Sequence, residues 1–134
     1  MRRTLITAGL CGLIVLAGCV PAAPITKQEL ASANYGAPMT QAQITASARQ
    51  FFDGYLKDPY SAVYHWQPAQ KGIITTSILE GRKHLAGYIL DGVVNAKNSY
   101  GGYTGDEHFQ LLVRDGTVIH ASKEDPETGA MVTL

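Results

Sequence analysis

The sequence predicts an α+β domain: one N-terminal helix packed on a four- to five-stranded, mostly antiparallel sheet. Three observations lead there. Apolar residues recur at helical spacing over residues 41 to 57, behind a threonine placed to cap them. From residue 61 the chain turns to alternating runs rich in Ile, Val, Thr and Tyr. Asp115-Gly116 separates two such runs by the two residues of a tight hairpin. A helix followed by consecutive strands is the order of a segregated helix and sheet. The chain has 134 residues, one domain's worth, and a formal net charge of zero. It carries no basic stripe, so it lacks the electrostatic footprint of a nucleic-acid binder.

The N-terminus, MRRTLITAGLCGLIVLAGC, opens on Arg2 and Arg3 and runs apolar from Leu5 to Ala17. That run is shorter than the roughly 20 residues a membrane-crossing helix needs. A charged start, a short apolar core and small residues before a cleavage point describe a signal peptide over residues 1–18. Leu16-Ala17-Gly18-Cys19 resembles the lipobox of bacterial lipoproteins. The resemblance implies a diacylglyceryl group on the Cys19 sulfur, cleavage between Gly18 and Cys19, and acylation of the freed amine. Cys11 leaves with the leader, so the processed chain has neither a disulfide nor a free thiol. One acyl chain holds a protein to a bilayer only marginally, and several hold it stably. Residue 20 is Val rather than Asp, which in similar lipoproteins implies the outer membrane, periplasm-facing, over the inner one.

Residues 19–39 carry three prolines and many small residues and read as the lipidated cysteine and a flexible tether. Within it, KQELASA is too short to hold a helix alone in water. The folded domain is expected over 40–134. Thr40 and Gln43 match a capping box that opens the helix at 41. Ile44, Ala48, Phe51, Phe52 and Tyr55 form its apolar stripe, and Pro59 limits it to about residue 57. These side chains are expected against Trp66, Tyr88, Leu90 and Phe109.

Strands are expected at 61–67, 72–79, 84–96, 107–114 and 117–122, with a turn at 80–83. Ala62, Tyr64 and Trp66 share one face of the first. A two-residue turn at Asp115-Gly116 pairs Arg114 with Thr117, Leu112 with Ile119 and Leu111 with His120. Phe109, Leu111, Val113 and Val118 then face the core, and His120 falls on the core face opposite His108. Residues 123–134 read as a frayed tail.

The stretch NAKNSYGGYTGDEHF, residues 95–109, joins two strands. Asp58-Pro59, Ser61-Ala62 and the later Asn95-Ala96-Lys97-Asn98, Gly101-Gly102-Tyr103 and Gly105 resemble elements of a group of small proteobacterial envelope lipoproteins and periplasmic proteins. That group has no established activity. The resemblance implies fold and compartment and carries over no catalytic residue. Physically, Gly101, Gly102 and Gly105 permit positive φ, and Asn95 and Asn98 hydrogen-bond nearby backbone, so these five are the expected structural turn. Tyr100 and Tyr103, with Lys97 and Asn98, are the candidate binding residues, because flat amphipathic rings suit peptide or sugar surfaces. No phosphate-loop pattern is present.

His65, His84, His108 and His120 are scattered, without a short metal-ligand spacing, so no metal or cofactor is expected. Asp106-Glu107-His108 reads as a solvated strand end rather than acid–base equipment. The expectation is therefore a non-catalytic, lipid-anchored envelope protein that binds an envelope protein or peptidoglycan. The alternatives are a lipoprotein component of a trans-envelope secretion or conjugation machine, and a cell-wall enzyme or inhibitor.

Overall fold

A computed structural model describes residues 23–134. Its signature is an antiparallel six-stranded sheet with two helices, the helical share being small. The expected signal peptide and the expected lipidation site, Cys19, lie outside the described residues. The helices are α1 (Lys27–Ser32) and α2 (Gln41–Tyr55). The strands are β1 (Asp58–Trp66), β2 (Gln70–Thr75), β3 (His84–Lys97), β4 (Glu107–Arg114), β5 (Thr117–Glu124) and β6 (Met131–Thr133). All pairings are antiparallel, in the order β1-β3-β4-β5-β6, with β2 also pairing with β3. The first half of β3 takes β2 and its second half takes β1, along the same edge.

Helix α2 starts where the capping box puts it. The Thr40 hydroxyl accepts from the Gln43 amide at 3.3 Å, and the Thr40 amide donates to the Gln43 side chain at 2.8 Å. It ends at Tyr55, two residues before the expected limit, and Leu56 caps it with extended backbone. Ile44, Ala48 and Phe52 are its buried stripe. Phe52 sits at the centre of the core, its ring 4.9 Å from Phe109 edge-on, 5.7 Å from Tyr64 and 5.9 Å from Trp66. Phe51 and Trp66 are only half-buried and Tyr55 is exposed, so the stripe is narrower than expected. Tyr88, Leu90, Val94, Leu111 and Val113 complete the layer under α2.

Several strand expectations change. The strand expected at 72–79 is β2 and stops at Thr75, leaving Ile78 and Leu79 in the following turn. The tail is not frayed: β5 runs on to Glu124, Asp125 organises a turn, and β6 adds a sixth strand. The hairpin at Asp115-Gly116 forms, and Arg114 does pair with Thr117. A bulge between Leu112 and Val113 then shifts everything beyond by one residue. Leu112 pairs with His120 and Leu111 with Ala121, in place of Ile119 and His120. A one-residue slip exchanges faces. His120 therefore shares the face of Leu112, away from α2, rather than the core face of Leu111. His108 lies on that same face, contrary to the opposed placement expected.

The segment expected as a tether is held along the sheet from Thr26 onward. Thr26 and Glu29 cap α1 reciprocally. Glu29 then reaches His84 at 3.3 Å, the Ala37 amide donates to Asp115 at 2.7 Å, and the Met39 amide donates to the Tyr88 hydroxyl at 3.3 Å. Lys71 lies 5.8 Å from the Tyr35 ring centre. Such contacts supply what a six-residue helix lacks by itself.

Candidate functional site

The two sequence elements that stand some thirty residues apart meet at one end of the sheet. In β1, Asp58 pairs with Lys97 and Val63 with Asn95, so five steps on one strand oppose two on the other. The excess is a bulge over Pro59–Ala62. Proline is tolerated there because β1 is an edge strand whose outer side has no ladder to break. Ser61 ties the bulge down. Its hydroxyl donates to the Asp58 carbonyl at 2.9 Å and accepts from the Lys97 amide at 2.9 Å. The side chain of Tyr60 is left fully outside, at 100% exposure.

Beyond β3 the loop is organised by Asn98. Its side-chain oxygen accepts from the amides of Tyr100 at 2.9 Å and Gly102 at 3.2 Å. Its amide donates to the Gly102 carbonyl at 2.8 Å, and its carbonyl accepts from the Gly101 amide at 3.0 Å. Gly101 and Gly105 adopt φ of +81° and +96°, as a left-handed turn requires. Gly102 does not adopt positive φ, and a Cβ there would meet nothing closer than Asn98 at 3.9 Å. Its expected conformational role is thus not needed. Asn95 also leaves the expected turn: it lies inside β3, opposite Val63, and donates to Asp106 at 3.1 Å.

Of the candidate binding residues, Tyr100 is 97% exposed at the loop tip. Tyr103 is 53% exposed. Its hydroxyl donates to the Ser61 carbonyl at 3.3 Å, and Lys97 lies 5.4 Å over its ring. The loop is thus fastened to the β1 bulge through Tyr103, and Tyr60, Tyr100 and Tyr103 all present ring surface at this end. Tyr60 escaped the sequence reading. Its signal was an aromatic residue after a proline at a strand start, meaningful only once the bulge is known.

An open cleft of about 310 Å³ adjoins, on the α2 side, lined by Tyr55, Leu56, Lys57, Val94, Ala96 and Glu107 among others. Glu107 is neutralised in part by Lys123 at 2.8 Å. The site thus offers apolar rings, hydroxyls and the amines of Lys57 and Lys97. That chemistry suits a polar, flat partner surface.

Three of the four histidines, His84, His108 and His120, stand beside carboxylates. His108 Nδ1 is 2.9 Å from Glu124 and its Nε2 is 3.9 Å from Asp91. His120 stands 3.6 Å from Glu80. Among the described residues no three His, Cys, Asp or Glu side chains gather as a metal-binding group. The Tyr64 hydroxyl pKa is raised, chiefly by burial against α2. Among the described residues no helix is long and apolar enough to cross a membrane. No protein-family model matches the chain, and no curated protein or solved structure matches it significantly.

Proposed function

We propose that the chain is a non-catalytic, lipid-anchored envelope protein whose small α+β domain presents a tyrosine-rich recognition surface to the periplasm. The observation that carries the recognition reading is the docking of the Asn98 loop on the β1 bulge, which leaves Tyr60 and Tyr100 almost wholly exposed on fixed backbone. Exposed rings on a preformed support lose little entropy on binding and contribute large contact area. Support for the anchor comes from the short apolar leader and Leu16-Ala17-Gly18-Cys19, which resembles a lipobox. The likeness of the Asp58–Ala62 and Asn95–Gly105 elements to small envelope lipoproteins supports the same compartment. An envelope protein or peptidoglycan is the partner class that this compartment and these rings suit.

Two experiments test the two halves. Cys19→Ala abolishes incorporation of a fatty-acid analogue, and equal labelling of variant and wild type would remove the anchor from the reading. For recognition, the processed chain is compared with the Tyr60→Ser/Tyr100→Ser variant in co-sedimentation with purified peptidoglycan sacculi and in crosslinking to envelope proteins. The variant is expected to lose the wild-type partner while keeping its fold. Retention of every partner by a folded variant would sink the recognition surface.

A further inference from the structure

The two ends of β3 differ in what they expose. The strand has 14 residues, a contour of at most about 45 Å at roughly 3.3 Å per residue. The Lys97 end carries the tyrosine loop. The His84 end carries the turn between β2 and β3, where Ile78 is 70% and Leu79 99% exposed. This turn is fastened rather than loose. The Glu80 carboxylate accepts from the Ser77 hydroxyl at 2.8 Å, the Ser77 amide at 3.1 Å and the Thr133 hydroxyl at 2.9 Å. At its base, the Thr76 amide donates to the Lys83 carbonyl and the Lys83 amide to the Thr76 hydroxyl, both at 2.9 Å. Two aliphatic side chains are therefore held out into solvent by a turn that is tied to itself and, through Glu80, to Thr133 of β6 and His120 of β5.

The N-terminal segment reaches the same end. Glu29 on α1 meets His84, the first residue of β3, at 3.3 Å. From Thr26 back to Cys19 there are seven residues, which span at most about 25 Å fully extended. A lipid on Cys19 therefore holds the His84 end close to the bilayer, and the length of β3 exceeds that reach. Lys27 and Lys83 are exposed beside this end, as suits an anionic surface. Resting on the lipid anchor proposed above, we infer that the Ser77–Lys83 turn is a membrane-contacting tip. Ile78 and Leu79 enter the interfacial layer of the bilayer that carries the anchor, and the tyrosine loop is presented away from it.

The test uses the full, processed chain reconstituted into vesicles that contain anionic lipid. The Cys19 sulfur is blocked by its lipid and Cys11 leaves with the leader, so Leu79→Cys supplies the only free thiol for an environment-sensitive fluorophore. Tyr100→Cys, equally exposed, is the reference. Trp66 emission checks that both variants are folded. A nitroxide-bearing lipid is expected to quench the label at position 79 several-fold more than that at 100, with a blue shift at 79 alone. Equal quenching at the two positions in a chain that floats with the vesicles overturns the inference and leaves the anchor standing. A processed chain that fails to float overturns the anchor and the inference with it.

Discussion

Replacing Phe52 with Ala removes the ring on which the whole helix–sheet contact converges. Phe52 is fully buried and lies within 6 Å of the ring centres of Phe51, Phe109, Tyr64 and Trp66. Deleting such a ring costs about 3–5 kcal/mol, the lost transfer energy plus the cavity left behind. The total stability of a domain is about 5–15 kcal/mol, so the loss is a large share of it. With a urea slope of about 1.5 kcal/mol per molar, the midpoint falls by about 2–3 M. The chain's single tryptophan, Trp66, reports from 5.9 Å away, so indole emission follows the unfolding directly. Phe51→Ala is the control. Its ring is half-buried, stacked on Tyr55 at 5.7 Å, and its loss costs about 1 kcal/mol, moving the midpoint by less than about 1 M. Equal shifts for the two variants would refute the placement of Phe52 under the sheet.

Gly92→Ala is expected to destabilise by about 1–3 kcal/mol in thermal melts, because its Cβ would lie 2.3 Å from Trp66 Cε3 and 2.6 Å from the His65 carbonyl oxygen. An unchanged melting temperature would mean that Trp66 does not lie across β3. Gly101→Ala strains a left-handed turn and costs about 1–2 kcal/mol, whereas Gly102→Ala is near neutral. The reverse order in denaturant midpoints would contradict the loop geometry. Acid should loosen three local structures first. Hydrogen bonds from Thr26, Ser77 and Thr128 hold the carboxyls of Glu29, Glu80 and Asp125 below their usual range. Groups with a depressed folded pKa stabilise fully above the unfolded pKa, near 4, and lose that contribution as pH falls through the lower folded value. Amide exchange at Thr26, Ser77 and Thr128, whose amides donate to these carboxylates, should therefore stay protected between neutral pH and about 5 and rise below about 4. Loss of protection already near neutral pH would place the cause elsewhere.

Local chemistry made part of the fold legible. The α2 start follows from Thr40 and Gln43 alone, and the hairpin from Asp115-Gly116, because both are settled within four residues. The helical stripe named Phe51, Phe52 and Tyr55 together. Their differing burial depends on where the sheet surface lies, which spacing along one helix does not encode. The two bulges were illegible for the same reason, since an extra residue is defined only against a partner strand. One of them moved His120 to the far face, and the other put Tyr60 outside. Strand β6 is three exposed residues beyond a polar turn, and only its pairing with β5 distinguishes it from a tail. In the site, the role of Asn98 was readable from its chemistry. The contact of Ser61 with the backbone of Lys97 was not, because the two stand 36 residues apart.

The core and the tyrosine surface share few side chains, and this decides how cleanly recognition can be tested. Neither Tyr60 nor Tyr100 is packed against the core, and both are essentially solvated. Their substitution by Ser therefore leaves stability within about 0.5 kcal/mol, as is usual for exposed positions. Tyr103 is different. Its hydroxyl holds Ser61 and its ring carries Lys97, so its loss loosens the join between loop and bulge as well as removing a contact surface. Tyr103→Phe separates the two effects by deleting the hydroxyl and keeping the ring. If Tyr103 chiefly positions the loop, Tyr103→Phe weakens partner capture and raises amide exchange around Asn98. If its ring is the contact, Tyr103→Phe binds as the wild type and Tyr103→Ser does not. Wild-type capture by Tyr103→Ser would exclude both roles and leave Tyr60 and Tyr100 as the recognition pair.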